Sequence, residues 1–460
     1  MSLRTLPALR VIATSLREQR VSCIELADGA LAGRAASADP LGPYKTWDPD
    51  AVRRQAEAAH RALVAGMDAG PLHGIPISIK DLFGVQGWPT HAGTASRLPP
   101  AWEQSGPVVR AACEQLCVVM GKTHTVELAF GGLGTNPHWG TPRNPWDRET
   151  HRVPGGSSAG AGVSLLEGSA LLALGTDTAG SVRIPASMTG TVGLKTSYGR
   201  WPTAGIIPLS TSLDSVGLLA RTVDDAAFAF EAIERSLFGR TRAVCPRPIR
   251  GCRLGLPERF FWQDASPGVA EAVREAVRRL EQAGAIIVPV ELSPTTEAHE
   301  LFLAGGLAGV EVAAFLSQEL PDLHEHLDPA VWDRIRGAQA MPAIEYIRRR
   351  ERLAALSGRA AACFEGLDAL VTPTVALSPP AVEALQDLDV YRRCNLLALR
   401  NTSMANLLSL CGISVPAGTD ALGLPVGLQL LAPSGQDASL LEAALGVEAV
   451  LGAFCPNAAL

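Results

Sequence analysis

Residues 151–198 read HRVPGGSSAGAGVSLLEGSALLALGTDTAGSVRIPASMTGTVGLKTSY, and this stretch holds two clusters of glycine and serine. The first cluster is GGSS at 155–158, and the second is AGS at 179–181. A loop that brings backbone N–H groups within about 3 Å of a reacting atom has no room for bulky side chains. Two small-residue loops that each contain serine therefore indicate an oxyanion-binding site with a serine nucleophile.

The segment between the two clusters is rich in alanine and leucine. Residues 159–173 are long enough and apolar enough to predict a buried helix. The N-terminus of such a helix carries partial positive charge. We therefore expect that charge to face the first serine cluster.

Three separate motifs resemble the amidase signature family of serine hydrolases. They are GGSS followed by GTDTAGSVRIPA, in which Ser181 comes 24 residues after Ser157, GPLHGIPISIKDLFGVQGWPTHAGT at 70–94, and GLPVGLQLLAP at 423–433. The resemblance covers nearly the whole chain. It implies an α/β domain with a central twisted mixed β-sheet, covered on both faces by helices, and a helical cap. It also implies a Ser–cis-Ser–Lys triad of nucleophile Ser181, bridge Ser157 and base Lys80.

Lys80 is predicted to end a short buried strand. Residues 75–79 alternate and are rich in β-branched side chains. A lone lysine is ordinarily a solvated surface charge. Here the preceding ISI leaves little room for solvent, and desolvation disfavours the ammonium form. A neutral lysine can accept a proton from a serine hydroxyl, which is the role that the resemblance implies.

The loop before the predicted nucleophile is the candidate oxyanion hole. Its consecutive backbone N–H groups have the arrangement that such a site needs, and they belong to Thr178, Ala179, Gly180 and Ser181. A serine that caps a helix or its own turn is the structural alternative. Ser158 is interpreted as a supporting hydrogen-bond partner.

Two charged residues flank the nucleophile, Asp177 four positions before it and Arg183 two positions after it. A buried salt bridge between them would fix the loop, and this is the interpretation we favour. The alternative is that Arg183 binds a substrate carboxylate. Ser210 and Asp214, in PLSTSLDSVG, lie in another family-like segment and are interpreted as structural.

Other catalytic motifs fit less well. GSSAG at 156–160 matches the G-x-S-x-G nucleophile elbow with Ser158 at its tip, but the proline-broken HRVPGG precedes it where a strand is needed. A phosphate loop is disfavoured because no Gly-Lys-Ser/Thr follows these glycines. The HEH at 324–326 places its histidines on different sides of a helix. We therefore predict no metal and no cofactor.

The bulk composition narrows the class of function. A chain of 460 residues with 47% apolar content can bury a large core, and its net charge of −6 provides no basic field for nucleic acid. Nine cysteines, an odd number with no CxxC pair, favour a reduced, cytoplasmic setting. Neither a signal-peptide core nor a run of about 18 apolar residues is present, so no membrane segment is predicted.

The predicted elements follow the order of an α/β protein. Before the site, helices are expected at 6–36, interrupted at the N-cap residue Ser22, and at 48–67. The first half continues with a helix at 108–115, strands at 117–120 and 170–174, and further strand–glycine–helix alternation through 184–192. The second half adds a βαβ unit at 253–260, 269–283 and 285–290, a strand at 367–373, a helix at 395–410 and a strand pair around Pro425.

These elements are assigned to one domain, 1–460, with a signature core at 65–245 and a helical cap at 295–360. Within the cap, residues 301–315 carry almost no charge and are expected to be buried or to line the pocket. Residues 328–359 are highly charged and are predicted to be helical.

The candidate substrate pocket is almost wholly apolar or glycine. Its residues are Ala129, Phe130, Gly131, Gly132 and Leu133 in AFGGL, Ile206 and Ile207 in AGIIP, and the cap segment 301–312 with Glu311 as its one charge. Burial of apolar groups there is worth about 25 cal/mol per Å², and nothing would pair a second substrate charge. We therefore expect an amidase that hydrolyses small neutral alkyl or aryl amides with water through an acyl-enzyme. Aryl carbamates are a related class, and dicarboxylate half-amides should be poor substrates.

Two other functions fit the same fold. The amidase (A) subunit of a glutamyl-tRNA amidotransferase resembles this chain closely, but VELAFGG at 126–132 stands where those subunits typically have DEFAMGS. A glutaminase activity and co-purification with a second subunit would distinguish it. A non-catalytic binding protein is disfavoured because all three triad residues are retained, and a serine-reactive probe would decide. A free-standing amidase is expected to be a monomer or homodimer.

Overall fold

A mixed β-sheet forms the centre of the computed structural model, which describes residues 7–37 and 42–452. In those ranges its eleven strands are, in chain order, β1 (Tyr44–Trp47), β2 (Pro76–Lys80), β3 (Val118–Thr123), β4 (Leu172–Asp177), β5 (Val192–Lys195), β6 (Ser215–Ala220), β7 (Arg253–Pro257), β8 (Ile286–Val290), β9 (Ala369–Pro373), β10 (Leu410–Thr419) and β11 (Pro425–Pro433). Across the sheet the order is β1-β3-β2-β4-β6-β5-β10-β11-β9-β7-β8. β2 pairs in parallel with β3 and β4, β7 pairs in parallel with β8 and β9, and the other neighbours are antiparallel.

Helices cover both faces of this sheet. In chain order they are α1 (Leu9–Arg17), α2 (Cys23–Ala36), α3 (Pro49–Val64), α4 (Pro107–Cys113), α5 (Ala159–Glu167), α6 (Arg183–Thr189), α7 (Val223–Phe238), α8 (Val269–Gln282), α9 (Pro294–Leu303), α10 (Ala308–Glu319), α11 (Pro329–Gln339), α12 (Ala343–Ala362), α13 (Leu388–Leu407) and α14 (Asp437–Leu451). α5, α6 and α13 form one group on the central strands, and α7, α8 and α14 form a second group. The predicted α/β architecture is confirmed.

Local signals located several helices correctly. Ser22 caps α2 through a reciprocal capping box with Glu25. The predicted helix at 159–173 is too long, because Gly168 adopts a left-handed φ of 77° and ends α5, after which β4 begins. In the stretch 184–192, α6 occupies the first part and β5 starts at its end. Residue 6 of the first predicted helix lies outside the described residues.

The sheet order brings the two key motifs together. β2 and β4 are parallel neighbours, with Ile79 opposite Leu174. The carboxyl ends of parallel neighbours lie at the same edge of a sheet. Lys80, at the end of β2, is therefore close to the loop that follows β4 and contains Ser181.

The chain between β8 and β9 is helical, in agreement with the predicted cap, and contains α9, α10, α11 and α12. No single described helix is long and apolar enough to cross a bilayer, although α9 and α10, which meet at a bend of 43°, reach that threshold as a pair. The eight cysteines in the described ranges are free thiols, and Cys455 lies outside those ranges.

Replacing Gly162 with alanine should destabilise the protein. Gly162 lies in α5 where α5 contacts α6, and an added Cβ would lie 2.2 Å from Thr189 Oγ1 and 3.0 Å from Thr189 Cβ. The Thr189 hydroxyl donates to Pro185 O at 2.6 Å, which holds it in that position. We expect the free energy of unfolding, measured by urea denaturation, to fall by about 1–3 kcal/mol.

Gly358→Ala is the matched control. Gly358 lies inside α12, and an added Cβ would meet no atom within 4 Å. This substitution should raise the free energy of unfolding by about 0.5–1 kcal/mol, because alanine is the better helix former. Equal effects of the two substitutions would contradict close packing of α5 on α6.

Candidate active site

Lys80 lies fully buried at the carboxyl end of β2. Its Nζ donates hydrogen bonds to Ser157 Oγ at 2.7 Å and to Thr176 Oγ1 at 2.8 Å. Burial lowers the pKa of Lys80 to about 7, although the negative charges of Asp214 and Asp177 oppose the shift. A large share of Lys80 is therefore uncharged at neutral pH, which is the form that accepts a proton.

Thr176 is a partner of Lys80 that the sequence analysis missed. It is buried on β4, the strand that pairs with β2. Thr176 belongs to the same sequence motif as Ser181, but the motif does not show that it contacts Lys80. Its contact with Lys80 depends on which strands are neighbours, and local sequence does not give that pairing.

Ser157 and Ser181 lie in loops that a backbone hydrogen bond joins. The N–H of Ser158 donates to Ser181 O at 3.2 Å, and the peptide bond between Gly156 and Ser157 is cis, as the resemblance implied. Within the described part of the chain, no hydrogen bond joins the Ser157 and Ser181 hydroxyls. The structure thus forms the Lys80–Ser157 half of the predicted triad and places Ser181 in the adjoining loop.

Three of the four N–H groups predicted to form the oxyanion hole are available to a ligand. Those of Thr178, Ala179 and Ser181 have no acceptor among the residues that the structure describes. The prediction is wrong for Gly180, because its N–H already donates to Asp177 Oδ1 at 2.8 Å. Glycine is needed there for another reason: its φ is 128°, and an added Cβ would lie 2.1 Å from a threonine hydroxyl of α13.

Asp177 and Arg183 form the predicted salt bridge, and both are fully buried. Arg183 Nε donates to Asp177 Oδ2 at 3.0 Å and its NH2 group donates to Oδ1 at 2.8 Å. Burial opposes ionisation of Asp177, but the adjacent guanidinium brings its pKa down to about 2. Gln429 Oε1 and Asn406 Oδ1, which the sequence analysis missed, accept two further hydrogen bonds from Arg183 at 2.6 and 2.8 Å. Arg183 is therefore not free to bind a substrate.

Ser158 supports the site through its backbone and not through its hydroxyl. Its N–H donates to Ser181 O, whereas its hydroxyl makes no hydrogen bond among the described residues. The hydroxyl packs against Gly175 of β4, where an added Cβ would lie 2.9 Å from Ser158 Oγ, and this environment offers it no polar partner. Ser158 does not line the cavity described below, which disfavours the nucleophile elbow.

Asp214, interpreted from sequence as structural, supports the candidate oxyanion loop. It is buried and accepts hydrogen bonds from Thr178 Oγ1 at 2.5 Å and from the N–H groups of Leu209 and Ser210, each at 3.0 Å. Burial raises the pKa of Asp214 to about 6. Its charge, when present, favours the protonated form of Lys80.

A cavity of about 240 Å³ opens at Ser181. Ala129, Phe130 and Gly131 line it, in agreement with the sequence analysis. Its other walls come from the 209–213 segment, the junction of α9 and α10, and α13. They are largely apolar, with Leu209, Leu213, Phe302, Leu303, Leu307, Leu396, Leu399 and Leu407. The α13 wall was missed because nothing local in 388–407 distinguishes a cavity wall from core packing.

Two predicted pocket residues lie behind the cavity wall. Gly132 N–H donates to Asn395 Oδ1 at 2.8 Å. Leu133 is fully buried in a separate apolar cluster that includes Ile184 and Met188. Both residues therefore support the wall and do not line the cavity.

Ile206 and Ile207 were also predicted to line the pocket, and they do not. Ile206 forms a β-bridge with Phe83, and both isoleucines belong to the main hydrophobic core. Leu209 and Leu213, slightly further along the same segment, line the cavity in their place.

The charge in the cavity also differs from the prediction. Glu311 is buried and accepts hydrogen bonds from Ser210 Oγ at 2.6 Å, Ser212 N at 3.0 Å and Tyr346 OH at 2.8 Å. It is therefore already engaged. Among the described residues that line the cavity, the one charged side chain is Arg334 of α11. The expectation that nothing could pair a substrate charge is wrong.

Comparisons with known proteins find relatives over nearly the whole chain. The family model Amidase matches residues 30–441. The chain is 50% identical over 440 residues to 2-amino-5-chloromuconic acid deaminase of Comamonas testosteroni, covering 96% of this chain and 95% of that protein. It is 32% identical over 492 residues to the A subunit of glutamyl-tRNA(Gln) amidotransferase from Ralstonia nicotianae, covering 96% and 97%. A crystal structure of an amidase superposes with a TM-score of 0.86 at 30% identity, covering 97% and 100%.

Asp177→Asn should lower the free energy of unfolding by about 3–5 kcal/mol, because the buried charge of Arg183 would lose its counter-ion. The double variant Asp177→Asn, Arg183→Met removes that charge as well and should recover part of the loss. Urea denaturation measures both. A single variant within about 0.5 kcal/mol of wild type, the range of ordinary surface substitutions, would show that the pair does not hold the loop.

Proposed function

We propose, since this chain belongs to the Amidase family of C–N hydrolases, that Ser181 is its nucleophile and that Ser157 and Lys80 relay the proton. One observation carries this proposal. Lys80 is fully buried, its Nζ lies 2.7 Å from Ser157 Oγ, and burial lowers its pKa to about 7. A lysine in that state can act as a base. Two described serines line the cavity: the Ser403 hydroxyl donates to Arg400 O at 3.1 Å, whereas Ser181 lies in the loop that adjoins Ser157.

In the proposed reaction, Ser181 Oγ forms a bond to the trigonal substrate carbon while its proton passes through Ser157 to Lys80 Nζ. Ser181 must first turn its hydroxyl toward Ser157, and such hydrogen bonds often tighten only when substrate binds. The N–H groups of Thr178, Ala179 and Ser181 are available to the negative oxygen of the tetrahedral intermediate.

The second half of the reaction returns the protons. The C–N bond breaks as the nitrogen takes a proton from Lys80 through Ser157, and ammonia or an amine leaves. Water then loses a proton to the same relay, attacks the acyl carbon and releases the acid, which restores the Ser181 hydroxyl. Every proton that Lys80 accepts is therefore returned within one cycle.

The cavity supports a small substrate with an apolar body. A volume of about 240 Å³ with largely leucine walls fits the neutral alkyl or aryl amides predicted from sequence, and aryl carbamates equally well. Desolvation of the apolar body would contribute about 25 cal/mol per Å² buried. The carbonyl of either class would present a trigonal carbon to Ser181.

A 2-aminomuconic acid is the second candidate substrate class. The 50% identical relative is described as a deaminase of such a compound. Its enamine can tautomerise to an imine, whose trigonal carbon bears the departing nitrogen and can be attacked as an amide carbonyl is. Both classes release nitrogen from a carbon that becomes tetrahedral, and they differ chiefly in charge.

The amidotransferase subunit remains the less favoured alternative. The identity to such a subunit is 32%, against 50% for the deaminase, over similar coverage. Of the positions at which VELAFGG departs from the DEFAMGS typical of those subunits, Phe130 lines the cavity. That departure falls where substrate would bind.

Ser181→Ala should abolish turnover of amides without unfolding the chain, because the hydroxyl forms the covalent bond to substrate. In wild type a fluorophosphonate should label Ser181, and peptide mass spectrometry identifies the labelled residue. Ser158→Ala is the matched control and should be labelled normally, because Ser158 does not line the cavity. Labelling of Ser158 in place of Ser181 would overturn the assignment.

The rate of Ser181 acylation should rise with pH through an apparent pKa of about 7, because Lys80 accepts a proton only when uncharged. Lys80→Ala should lose several orders of magnitude in this rate, and Ser157→Ala somewhat less. Lys80→Arg keeps a charge that cannot be removed in this range, so its profile should lack the rise. The measurement is the labelling rate from about pH 5 to about pH 9; a flat wild-type profile would exclude Lys80 as the base.

A further inference from the structure

Arg334 is a cation at the mouth of the cavity that no described carboxylate neutralises. It lies on α11, is exposed to solvent, and lines the cavity beside Phe130. Asp333, its neighbour in the chain, pairs with Arg336 at 2.7 Å. Within residues 7–37 and 42–452, no Asp or Glu lies at ion-pair distance from Arg334.

Phe130 holds the guanidinium in place without neutralising it. The guanidinium carbon lies 4.4 Å from the centre of the Phe130 ring, and an NH2 group of Arg334 donates to Phe130 O at 2.8 Å. Among the residues that the structure describes, one of the five N–H donors of Arg334 has an acceptor. The others remain for a ligand, and the side chain is already ordered, which lowers the entropy lost on binding.

The rest of the cavity favours an anion as that ligand. No carboxylate lines it, and its walls are mainly leucine and glycine among the described residues. Asn395 accepts from Gly132 N–H through Oδ1, which leaves its amide Nδ2 as a second donor in the lining. A carboxylate that pairs with the guanidinium can form charge-assisted hydrogen bonds, which are stronger than those between neutral groups.

Burial differs between the two ends of the cavity. Ser181 is 3% exposed, whereas Arg334 is exposed at the surface. A substrate attacked at Ser181 would therefore extend its far end toward Arg334. We propose, building on the proposed role of Ser181, that Arg334 determines specificity by pairing a carboxylate at the end of the substrate remote from the reacting carbon. The preferred substrate is thus an anion with an apolar middle.

Calorimetric titration tests this inference with adipate and its neutral diamide, adipamide, in a Ser181→Ala chain that cannot turn over. Adipate should bind at least about tenfold more tightly than adipamide. Adding Arg334→Met should bring the two affinities within about threefold of each other by weakening adipate alone. Arg334→Lys should keep part of the preference, because it retains charge but not the planar fork.

Arg348→Met on α12 is the matched control and should keep the full preference, since Arg348 is exposed and does not line the cavity. Equal affinities in the Ser181→Ala chain, or a preference that survives Arg334→Met, would overturn the inference. Equal weakening of both ligands would also overturn it, by showing that Arg334 only positions Phe130. Fluorophosphonate labelling of Ser181, in chains that retain it, tests the proposed nucleophile separately, so failure of either idea can be told from failure of the other.

Discussion

The carboxylate of Asp177 organises the site more than any other group. It receives the N–H of Gly180 and two guanidinium donors of Arg183, and it is fully buried. Arg183 in turn reaches Asn406 on α13 and Gln429 on β11. One ion pair thus joins the Ser181 loop, the cavity wall and the middle of the sheet. A buried pair stabilises poorly on its own, but both Asp177 oxygens and all three guanidinium nitrogens of Arg183 have hydrogen-bond partners, which fixes the loop.

Burial then sets the charge of the groups that this frame positions. Lys80 loses affinity for its proton because it is removed from water, and Asp214 gains affinity for a proton for the same reason. The two effects are coupled, since the charge of Asp214 favours protonated Lys80. Thr178 links Asp214 to the cavity, because its hydroxyl donates to Asp214 and the residue lines the cavity.

Sequence could predict the parts of the site that local motifs encode. Lys80, Ser157 and Ser181 stand in long recognisable segments, and Asp177 and Arg183 are close enough in the chain to suggest their pairing. Sequence could not show which residues distant elements bring to the site. The contact of Thr176 with Lys80 depends on strand order, and Asn406 and Gln429 lie more than 200 residues beyond Arg183. Arg334 lies on a helix whose charged sequence is typical of a surface. Gly180 was wrongly assigned to the oxyanion hole, because a loop of small residues suggests accessible N–H groups but does not show that one of them already donates to Asp177. Alternation of apolar residues located the strands. The prediction that Ile206 and Ile207 line the cavity was wrong, because in an irregular segment a shift of two or three residues changes which side chains face the cavity.

The cap is a single uninterrupted excursion of the chain, from the end of β8 to the start of β9, and it contributes α9 to α12. The proposed reacting groups Lys80, Ser157 and Ser181 all precede that excursion. The proposed catalytic residues and a large part of the cavity lining therefore lie on separate stretches of sequence. Variation within the excursion can change which molecules are accepted while the reaction itself is preserved, so a family built on this plan can diversify its substrates by altering one contiguous segment of its gene.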